Sequence, residues 1–244
     1  MITIPESVEV KRSKATEGRL MAKAREWIEG DERTPGIHAS DLLDLRQAYW
    51  GKVDPRPLSD RLVTMFLVGK VLHAFVISVA TDTPTDLAVS DAGSRVSAEL
   101  GISFSPDLEL GGIVREVKTT RSYHDDVNPF YVEQLLVYLA ATNTTRGQLW
   151  VLFLNLRGED RATEPQFRCY TVTLSAEDLR LVKDEVVDKR IQLESAIAEG
   201  NHTTLPLCRD FKCGHGKCDW FDQCQPEGRW GESKWDSRLR KARG

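Results

Sequence analysis

The sequence P-D-L-E-L-G-G-I-V-R-E-V-K occupies residues 106–118 and is typical of two short β-strands joined by a tight turn. Leu108 and Leu110 on the first arm, and Ile113, Val114 and Val117 on the second, are apolar. The pair Gly111 and Gly112 lies between the arms and supplies the positive-φ residues that a two-residue hairpin turn requires. The stretch therefore predicts a β-hairpin centred on these two glycines.

The predicted hairpin gathers charged groups at one spot. Side chains alternate between the two faces of a strand, so Glu116 and Lys118 share one face while Val117 points to the other. Pairing around the glycine turn brings Asp107 close to Glu116. We therefore expect two carboxylates and one ammonium together in a mostly apolar sheet.

This grouping is suited to phosphodiester chemistry. Carboxylates bind Mg²⁺ or Mn²⁺ through hard oxygen ligands and leave several waters on the metal. Such a metal lowers the pKa of a water and stabilises charge on a phosphate, and Lys118 is placed to orient that water or to neutralise the developing charge. The alternative is a surface hairpin that carries an ordinary Glu-Lys pair.

Length and composition indicate the size of the domain and the expected location of the protein. The 244 residues are 41% hydrophobic and 29% charged, with a net charge of -4, so we expect one large domain or a domain with an appendage, and only a local basic surface for any nucleic acid. The N-terminus lacks an apolar signal region, and no later run is expected to span a membrane, so the predicted location is cytoplasmic, without a membrane partner. The five cysteines are then expected to be free thiols or metal ligands.

The first half of the chain predicts helices followed by a strand. Apolar periodicity favours helices over 17–29 and over 41–50, the second with Ser40 as N-cap, and a long apolar helix over 58–80 that runs through the core. His73 on that helix is either a core histidine bonded to a carbonyl or a contact to metal or phosphate. A strand over 96–104 leads into the hairpin and carries Glu99 as a reserve acidic ligand.

The second half predicts a helix, two strands and a helix. The helix over 130–142 places Gln134 and Tyr138 on one face, where their polar tips face either solvent or the candidate site. Buried and edge strands follow over 148–156 and 167–174, and an amphipathic helix covers 176–199. We interpret Cys169, inside the edge strand, as a buried thiol. This order predicts an α/β core with a mixed central sheet. In the polar loop after Lys118, Arg121 and His124 either contact phosphate or are simply solvated.

The other four cysteines fall in one short window near the C-terminus. They are Cys208, Cys213, Cys218 and Cys224, separated by four, four and five residues. Four thiolates in this arrangement are typical of tetrahedral metal ligation. The even spacing lacks the paired knuckles of zinc sites and favours a [4Fe–4S] cluster, with zinc as the alternative. The tail beyond them mixes tryptophans with basic residues, either as a solvated end or as a grip on single-stranded nucleic acid.

Taken together and in this order, these motifs resemble the RecB-like branch of the PD-(D/E)xK nuclease superfamily, and in particular the CRISPR-associated exonuclease family of Cas-four type with its phage relatives. The resemblance implies a restriction-endonuclease-like α/β core, with a mixed sheet flanked by helices and a cysteine-ligated metal segment at its C-terminal end. It also implies that His73, Asp107 and Glu116 bind Mg²⁺ or Mn²⁺, that Lys118 supports the water, and that Gln134 and Tyr138 arrange the site and the strand. The family places one cluster cysteine near its N-terminus; residues 40–49 have none, and Cys208 fills that position here.

The implied organisation is a helical extension over 1–36, a nuclease core over 37–200, a four-cysteine segment over 201–228 and a basic tail over 229–244. The implied activity is metal-dependent exonucleolytic cleavage of single-stranded DNA ends, in recombination, repair or CRISPR-type processing, with DNA contacts from Arg121 and Tyr138. A recombination or integration protein is the expected protein partner. The alternative is a non-catalytic nucleic-acid-binding or adaptor protein with structural zinc.

Overall fold

The computed structural model describes residues 13–30, 34–81, 94–120, 127–154, 166–209 and 218–224. Its helices are α1 (Lys14–Glu29), α2 (Leu45–Val53), α3 (Asp60–Thr81), α4 (Pro129–Thr142) and α5 (Ala176–Glu199), with 3₁₀ turns at Ala39–Leu43 and His202–Thr204. Its strands are β1 (Arg95–Ser97), β2 (Ile102–Phe104), β3 (Leu108–Leu110), β4 (Ile113–Thr120), β5 (Arg146–Phe153) and β6 (Gln166–Thr173).

Four strands form the central sheet in the order β3-β4-β5-β6. The pairs β3-β4 and β5-β6 are antiparallel, whereas β4 and β5 are parallel and are connected through α4. A parallel pair needs such a crossover because the chain must return to the end of the sheet at which the first strand began. Strands β1 and β2 form a separate antiparallel pair. The predicted α/β fold with a mixed central sheet flanked by helices is confirmed.

The two faces of the sheet are covered by different helices. Leu135 and Leu139 of α4 belong to the large core cluster together with Val114 and Val151 of the sheet. On the opposite face, Val76 and Leu72 of α3 pack with Val117 and Leu152. The hairpin of β3 and β4 therefore lies between α3 and α4, and each helix can supply side chains to it.

Close packing of α4 on the sheet depends on Gly147 in β5. A Cβ atom at this position would lie 2.9 Å from Leu139 Cδ2, 3.0 Å from Leu135 Cδ1 and 3.1 Å from the carbonyl oxygen of Val114. Only a residue without a side chain lets the helix approach the strand this closely.

Two of the predicted helices have the ends that their sequences indicate. Asn128 caps α4 by accepting a hydrogen bond from the backbone of Phe130, with Pro129 in the first turn. Ser175 and Asp178 form a reciprocal capping box at the start of α5, which ends at Gly200 in the left-handed conformation. Helices α4 and α5 confirm the predictions over 130–142 and 176–199. Helix α1 likewise forms where a helix is predicted over 17–29.

The predicted strand over 96–104 is wrong, because this segment forms the hairpin β1–β2. Gly101 has a φ of 65°, and the chain reverses over residues 98–101. Glu99 therefore lies in a turn, where both carboxylate oxygens accept from Lys183 of α5 at 2.8 and 2.9 Å. That ion pair directs Glu99 away from the candidate site, so its role as a reserve ligand is not supported.

The helix predicted over 41–50 is interrupted at Asp44. This residue adopts φ -146° and ψ 84°, which ends the 3₁₀ turn and begins α2. The cap of the 3₁₀ turn is His38 rather than Ser40, because Asp41 reaches back to accept from the backbone nitrogen of His38 at 2.9 Å. A side-chain bond to the preceding backbone competes with helical hydrogen bonding in this way.

Helix α3 is not the core helix that its composition predicts. Its buried side includes Val63, Ala74, Val76 and Ile77, and its three leucines are half-buried. Six other apolar side chains are exposed, namely Met65 (56%), Phe66 (48%), Val68 (38%), Val71 (39%), Phe75 (56%) and Val79 (65%). The expectation that no run is long and apolar enough to span a membrane is also wrong: Asp60–Val79 meets that condition by length and composition, at a mean hydropathy of 2.1 and with 22% of the stretch buried.

The edge position of β6 overturns the interpretation of Cys169. Burial alternates along this strand, as predicted for an edge, and Cys169 lies on its outer side and is exposed. The sequence pattern identified the strand correctly, but a period of two leaves open which set of residues faces the core.

Candidate active site

The hairpin that carries the charged residues forms as its sequence predicts. Gly111 and Gly112 connect β3 and β4 with φ values of 61° and 71°. Leu110 then pairs with Ile113 and Leu108 with Arg115, which places Asp107 opposite Glu116 as the next pair. The Arg115 guanidinium stabilises the turn by donating to the carbonyl oxygens of Leu110 and Ile113 at 2.8 and 2.9 Å.

Asp107 is fixed by two neighbours. Its Oδ2 atom accepts a hydrogen bond from the backbone N–H of Val117 at 2.7 Å, and its Oδ1 atom lies 3.4 Å from Nδ1 of His73. Burial acts to raise the pKa of Asp107, but His73, the Lys118 ammonium and the Val117 N–H together outweigh it and hold that pKa below its ordinary value. Asp107 is therefore a carboxylate at neutral pH.

Glu116 is the most enclosed group of the site, with 1% of its surface exposed. The Lys118 ammonium contacts its Oε1 atom, while Oε2 has no hydrogen-bond donor among the described residues. Burial, followed by repulsion from the Asp107 carboxylate, raises the pKa of Glu116 to about 8. A buried carboxylate oxygen without a donor, beside a second carboxylate, is an arrangement that a cation stabilises.

Lys118 is the positive member of the cluster. Burial acts to lower its pKa, but attraction to Glu116 and Asp107 outweighs burial, so the pKa of Lys118 is raised and the group is an ammonium. Tyr131 of α4 also contributes to this shift, which places its hydroxyl in the electrostatic environment of the lysine.

The donor set fits a hard divalent cation. Two carboxylates lie together, one oxygen is without a donor, and His73 is beside Asp107. Within the described ranges, no three histidine, cysteine or acidic side chains converge on one point as a closed metal cage. Mg²⁺ and Mn²⁺ do not need one, because they retain waters and are commonly bound through one or two carboxylates.

Helix α4 carries the predicted site residues Gln134 and Tyr138. Gln134 Nε2 donates to the Tyr138 hydroxyl at 2.8 Å, which confirms that they share a face. Tyr138 is 5% exposed and packs against Phe104 at a ring distance of 6.4 Å, so its position favours arranging the helix over gripping a DNA strand.

Tyr131 is a residue that the sequence reasoning missed. It precedes Gln134 by three positions and Tyr138 by seven, and this spacing places all three on one face of a helix. The same periodicity that selected Gln134 and Tyr138 therefore contained the signal for Tyr131.

The loop after β4 and part of the cysteine segment fall outside the described residues. They include Arg121, His124 and Cys213. Of the other predicted ligands, Cys224 is buried, and Cys208 and Cys218 are half-buried. Burial and, less strongly, the neighbouring Cys224 raise the pKa of the Cys218 thiol. The four-cysteine site therefore remains a prediction.

Contacts around the cysteines attach this segment to α4 and to the residues that follow α2. Trp220 Nε1 donates to the carbonyl oxygen of Asp54 at 2.9 Å, and Arg56 donates to the carbonyl oxygen of Asp219. The Arg209 guanidinium contacts Glu133 of α4 and stacks over Phe130 at 4.8 Å. The segment is thus held to the core by polar contacts that do not involve the thiols.

No family profile and no curated protein sequence matches the chain. Among solved structures, the chain is similar to the crystal structure of SSO0001, with a TM-score of 0.53 and 19% identity over 74% of this chain and 88% of that one. Weaker similarity is found to an alkaline exonuclease (LHK-Exo) from Laribacter hongkongensis, with a TM-score of 0.40, 14% identity, and coverage of 78% and 85%. It is also found to a phage related exonuclease from Haemophilus somnus 129PT, with a TM-score of 0.37, 11% identity, and coverage of 78% and 86%. The first similarity shows a shared fold, and the other two are too distant to carry an argument about this chain.

Proposed function

We propose that the protein is a metal-dependent deoxyribonuclease that removes nucleotides from single-stranded DNA ends. One observation carries the proposal, namely the buried contact between Asp107 and Glu116, which leaves a carboxylate oxygen without a donor next to the Lys118 ammonium. In a purely structural ion pair, hydrogen-bond donors would satisfy both carboxylate oxygens. In a metal-binding pair, one carboxylate oxygen is left to bind the cation.

Each residue has a distinct part in this proposal. Asp107 and Glu116 hold Mg²⁺ or Mn²⁺, with His73 oriented by Asp107 at 3.4 Å. The cation, when bound, supplies Lewis-acid chemistry for phosphodiester hydrolysis. Lys118, fixed against Glu116, provides a positive charge for the phosphate oxygens and orients the attacking water. Gln134 and Tyr138, which are joined by a hydrogen bond on one face of α4, help to arrange the site and the strand.

Further parts of the proposal rest on the resemblance to the PD-(D/E)xK nucleases. Arg121 contacts the phosphate backbone, and the four cysteines Cys208, Cys213, Cys218 and Cys224 hold a structural [4Fe–4S] cluster, with Zn²⁺ as the alternative metal. The protein acts in the cytoplasm in recombination, repair or CRISPR-type processing, beside a recombination or integration partner.

The test is a cleavage assay on end-labelled single-stranded and duplex DNA, with Mn²⁺, Mg²⁺ or chelator. We expect stepwise shortening of the single strand with either metal, and a loss of at least about 100-fold in Glu116→Gln and in Asp107→Asn, since each removes a ligand charge. The matched control is Glu99→Gln, which removes an exposed carboxylate that pairs with Lys183. Wild-type activity in Glu116→Gln would refute the nuclease proposal and favour a non-catalytic nucleic-acid-binding or adaptor role.

A further inference from the structure

A groove of about 770 Å³ lies beside the candidate active site. Helices α1 and α3 form its walls, and the ends of β4 and β5 form its inner border, with Thr119, Thr120 and Leu154. Tyr131 of α4 also lines the groove, and the same residue contributes to the raised pKa of Lys118, so the groove adjoins the charged cluster. In α/β sheets, ligands bind outside the carboxyl ends of parallel strands, and β4 and β5 are the parallel pair here.

The walls of the groove are apolar. Met21 of α1 faces Met65 and Val68 of α3, and Leu154 completes the surface. Met65 is 56% exposed and Val68 is 38% exposed, although both belong to a helix that otherwise packs against the sheet. Methionine thioethers make favourable contacts with aromatic rings and adapt to their shape. The walls therefore suit a flat aromatic ligand.

The rim of the groove is polar and offers donors. Arg61 lies on it without an acidic partner among the described residues, whereas the nearby Asp60 is already paired with Arg25 at 2.7 Å. Within the described part of the chain, β4 has no strand beside it on the β3 side beyond Ile113–Arg115. Because the N–H of Val117 points to that side, the N–H of Thr119, two residues later, points there as well. A cation and a backbone donor at the rim match an anionic ligand such as a phosphate.

Gly69 indicates that this space is kept open. It lies in the middle of α3, where glycine costs about 1 kcal/mol relative to alanine. An added Cβ would meet nothing within 4 Å, so packing within the protein does not require glycine. Gly69 is one of the groove residues, and a larger side chain there would project into the groove.

We propose that this groove is a nucleobase subsite: it holds an unpaired base of the DNA strand next to the scissile phosphate, between the methionines of α1 and α3. This inference rests on the proposed nuclease function and deepens it. A paired base cannot enter, since its edge is occupied and its faces are stacked, so the groove selects single-stranded DNA.

Binding, measured separately from cleavage, tests the subsite. A fluorescent single strand of roughly ten nucleotides is titrated with full-length Glu116→Gln protein in Mg²⁺, which keeps the strand intact. We expect Gly69→Leu in this background to weaken binding about tenfold while its melting temperature stays equal or rises, because leucine favours the helix. Gly51→Leu is the matched control: Gly51 lies in α2, an added Cβ there also meets nothing within 4 Å, and binding is expected to be unchanged.

An abasic residue, moved along the strand one position at a time, tests the chemistry of the contact. At one position it should weaken binding to the Glu116→Gln protein about five- to tenfold. Met65→Ala, added to that protein, should cause no further loss on that strand, although it weakens binding of the intact strand. Phe75→Ala, which changes an exposed apolar residue of the same helix outside the groove, should have no effect.

Unchanged binding in Gly69→Leu, or equal losses in Met65→Ala on intact and abasic strands, would overturn the subsite. These outcomes are separate from failure of the nuclease proposal. Groove-dependent binding without cleavage by the wild-type protein would remove only the catalytic assignment, and cleavage that tolerates Gly69→Leu would remove only the subsite.

Discussion

The Oδ2 atom of Asp107 accepts a hydrogen bond from the backbone N–H of Val117 at 2.7 Å, and this contact holds the first acidic residue of the hairpin against the strand that carries the second. Its consequence is electrostatic. The backbone donor and His73 keep Asp107 ionised. Burial and the Asp107 charge raise the pKa of Glu116 to about 8, so Glu116 is protonated at neutral pH. The two carboxylates of one site therefore differ in charge at neutral pH until a cation binds.

The first prediction follows from this difference and concerns the metal-free protein. The pKa of Glu116 is about 8 in the folded state and near 4.5 in the unfolded chain. The contribution of protonated Glu116 to folding stability is therefore fully present below pH 4.5. It is lost as the pH rises through 8, and over this range the free energy of unfolding falls by up to ~1.4 kcal/mol per pH unit. We expect the melting temperature in chelator to fall between pH 5 and 8.5, and less steeply in Glu116→Gln.

Asp107 and Lys118 do not produce this slope, because the lowered pKa of the first and the raised pKa of the second lie outside that window. Comparison with Glu116→Gln cancels the titration of other groups. Saturating Mn²⁺ should flatten the wild-type curve, since a cation favours the ionised carboxylate. Identical curves for the two proteins in chelator would contradict the assigned environment of Glu116.

The second prediction separates the role of Lys118 from metal binding. Lys118→Met should lower the cleavage rate by about 10²–10³-fold, because a positive charge next to the reacting phosphate is lost. Mn²⁺ binding, measured by calorimetry, should persist, since both carboxylates remain and a competing cation is gone. Lys183→Met is the control, as this lysine pairs with the exposed Glu99 at 2.8 Å. Loss of Mn²⁺ binding in Lys118→Met would show a structural rather than a catalytic role.

The third prediction concerns His73, which is 3.4 Å from Asp107 and has 23% of its side chain exposed. If His73 binds the metal, His73→Asn should weaken Mn²⁺ affinity about tenfold and change the melting temperature little. A purely structural histidine would give the reverse pattern, with a large loss of stability and unchanged metal affinity in the folded fraction. Calorimetric metal titration and thermal melting of the same samples distinguish the two.

The hairpin shows what local sequence predicts well. A Gly-Gly turn and a side-chain period of two determine which residues of β3 and β4 face each other, so the proximity of Asp107 and Glu116 followed from spacing alone. Helix α3 shows the limit of this reasoning. Its composition indicates burial, but the sheet offers only one face, so Phe75 and Val79 remain exposed. Which side of an apolar helix is covered depends on tertiary packing, and the groove beside it was invisible in the sequence for the same reason.

The fourth prediction tests the packing of α4 on the sheet. Gly147→Ala places a methyl group 2.9 Å from Leu139 and 3.0 Å from Leu135, which should lower the free energy of unfolding by about 1–3 kcal/mol. Gly51→Ala, at an open position in α2, should instead raise it by about 1 kcal/mol. Chemical denaturation measures both. Equal stability of the two variants would mean that α4 does not approach β5 as closely as described.

The last prediction concerns the four-cysteine segment. If Cys208, Cys213, Cys218 and Cys224 hold a [4Fe–4S] cluster, protein purified without oxygen should be brown, with a broad absorption band near ~400 nm. Serine at any of the four should release the metal and lower the melting temperature, because metal binding to such a site contributes directly to folding. Cys169→Ser is the matched control, since this cysteine is exposed on β6 and its replacement should leave metal content unchanged.

Metal analysis of the same samples distinguishes the two candidate metals. Colourless protein from an iron-replete preparation, with one zinc per chain, would refute the cluster and leave a zinc site with the same ligands. Because Trp220 and Arg209 attach this segment to the core through contacts that do not involve the thiols, we expect the serine variants to remain folded around the sheet. Their Mn²⁺ affinity at Asp107 and Glu116 should then match that of the wild type. A parallel loss of Mn²⁺ binding would show instead that the cysteine site supports the catalytic hairpin.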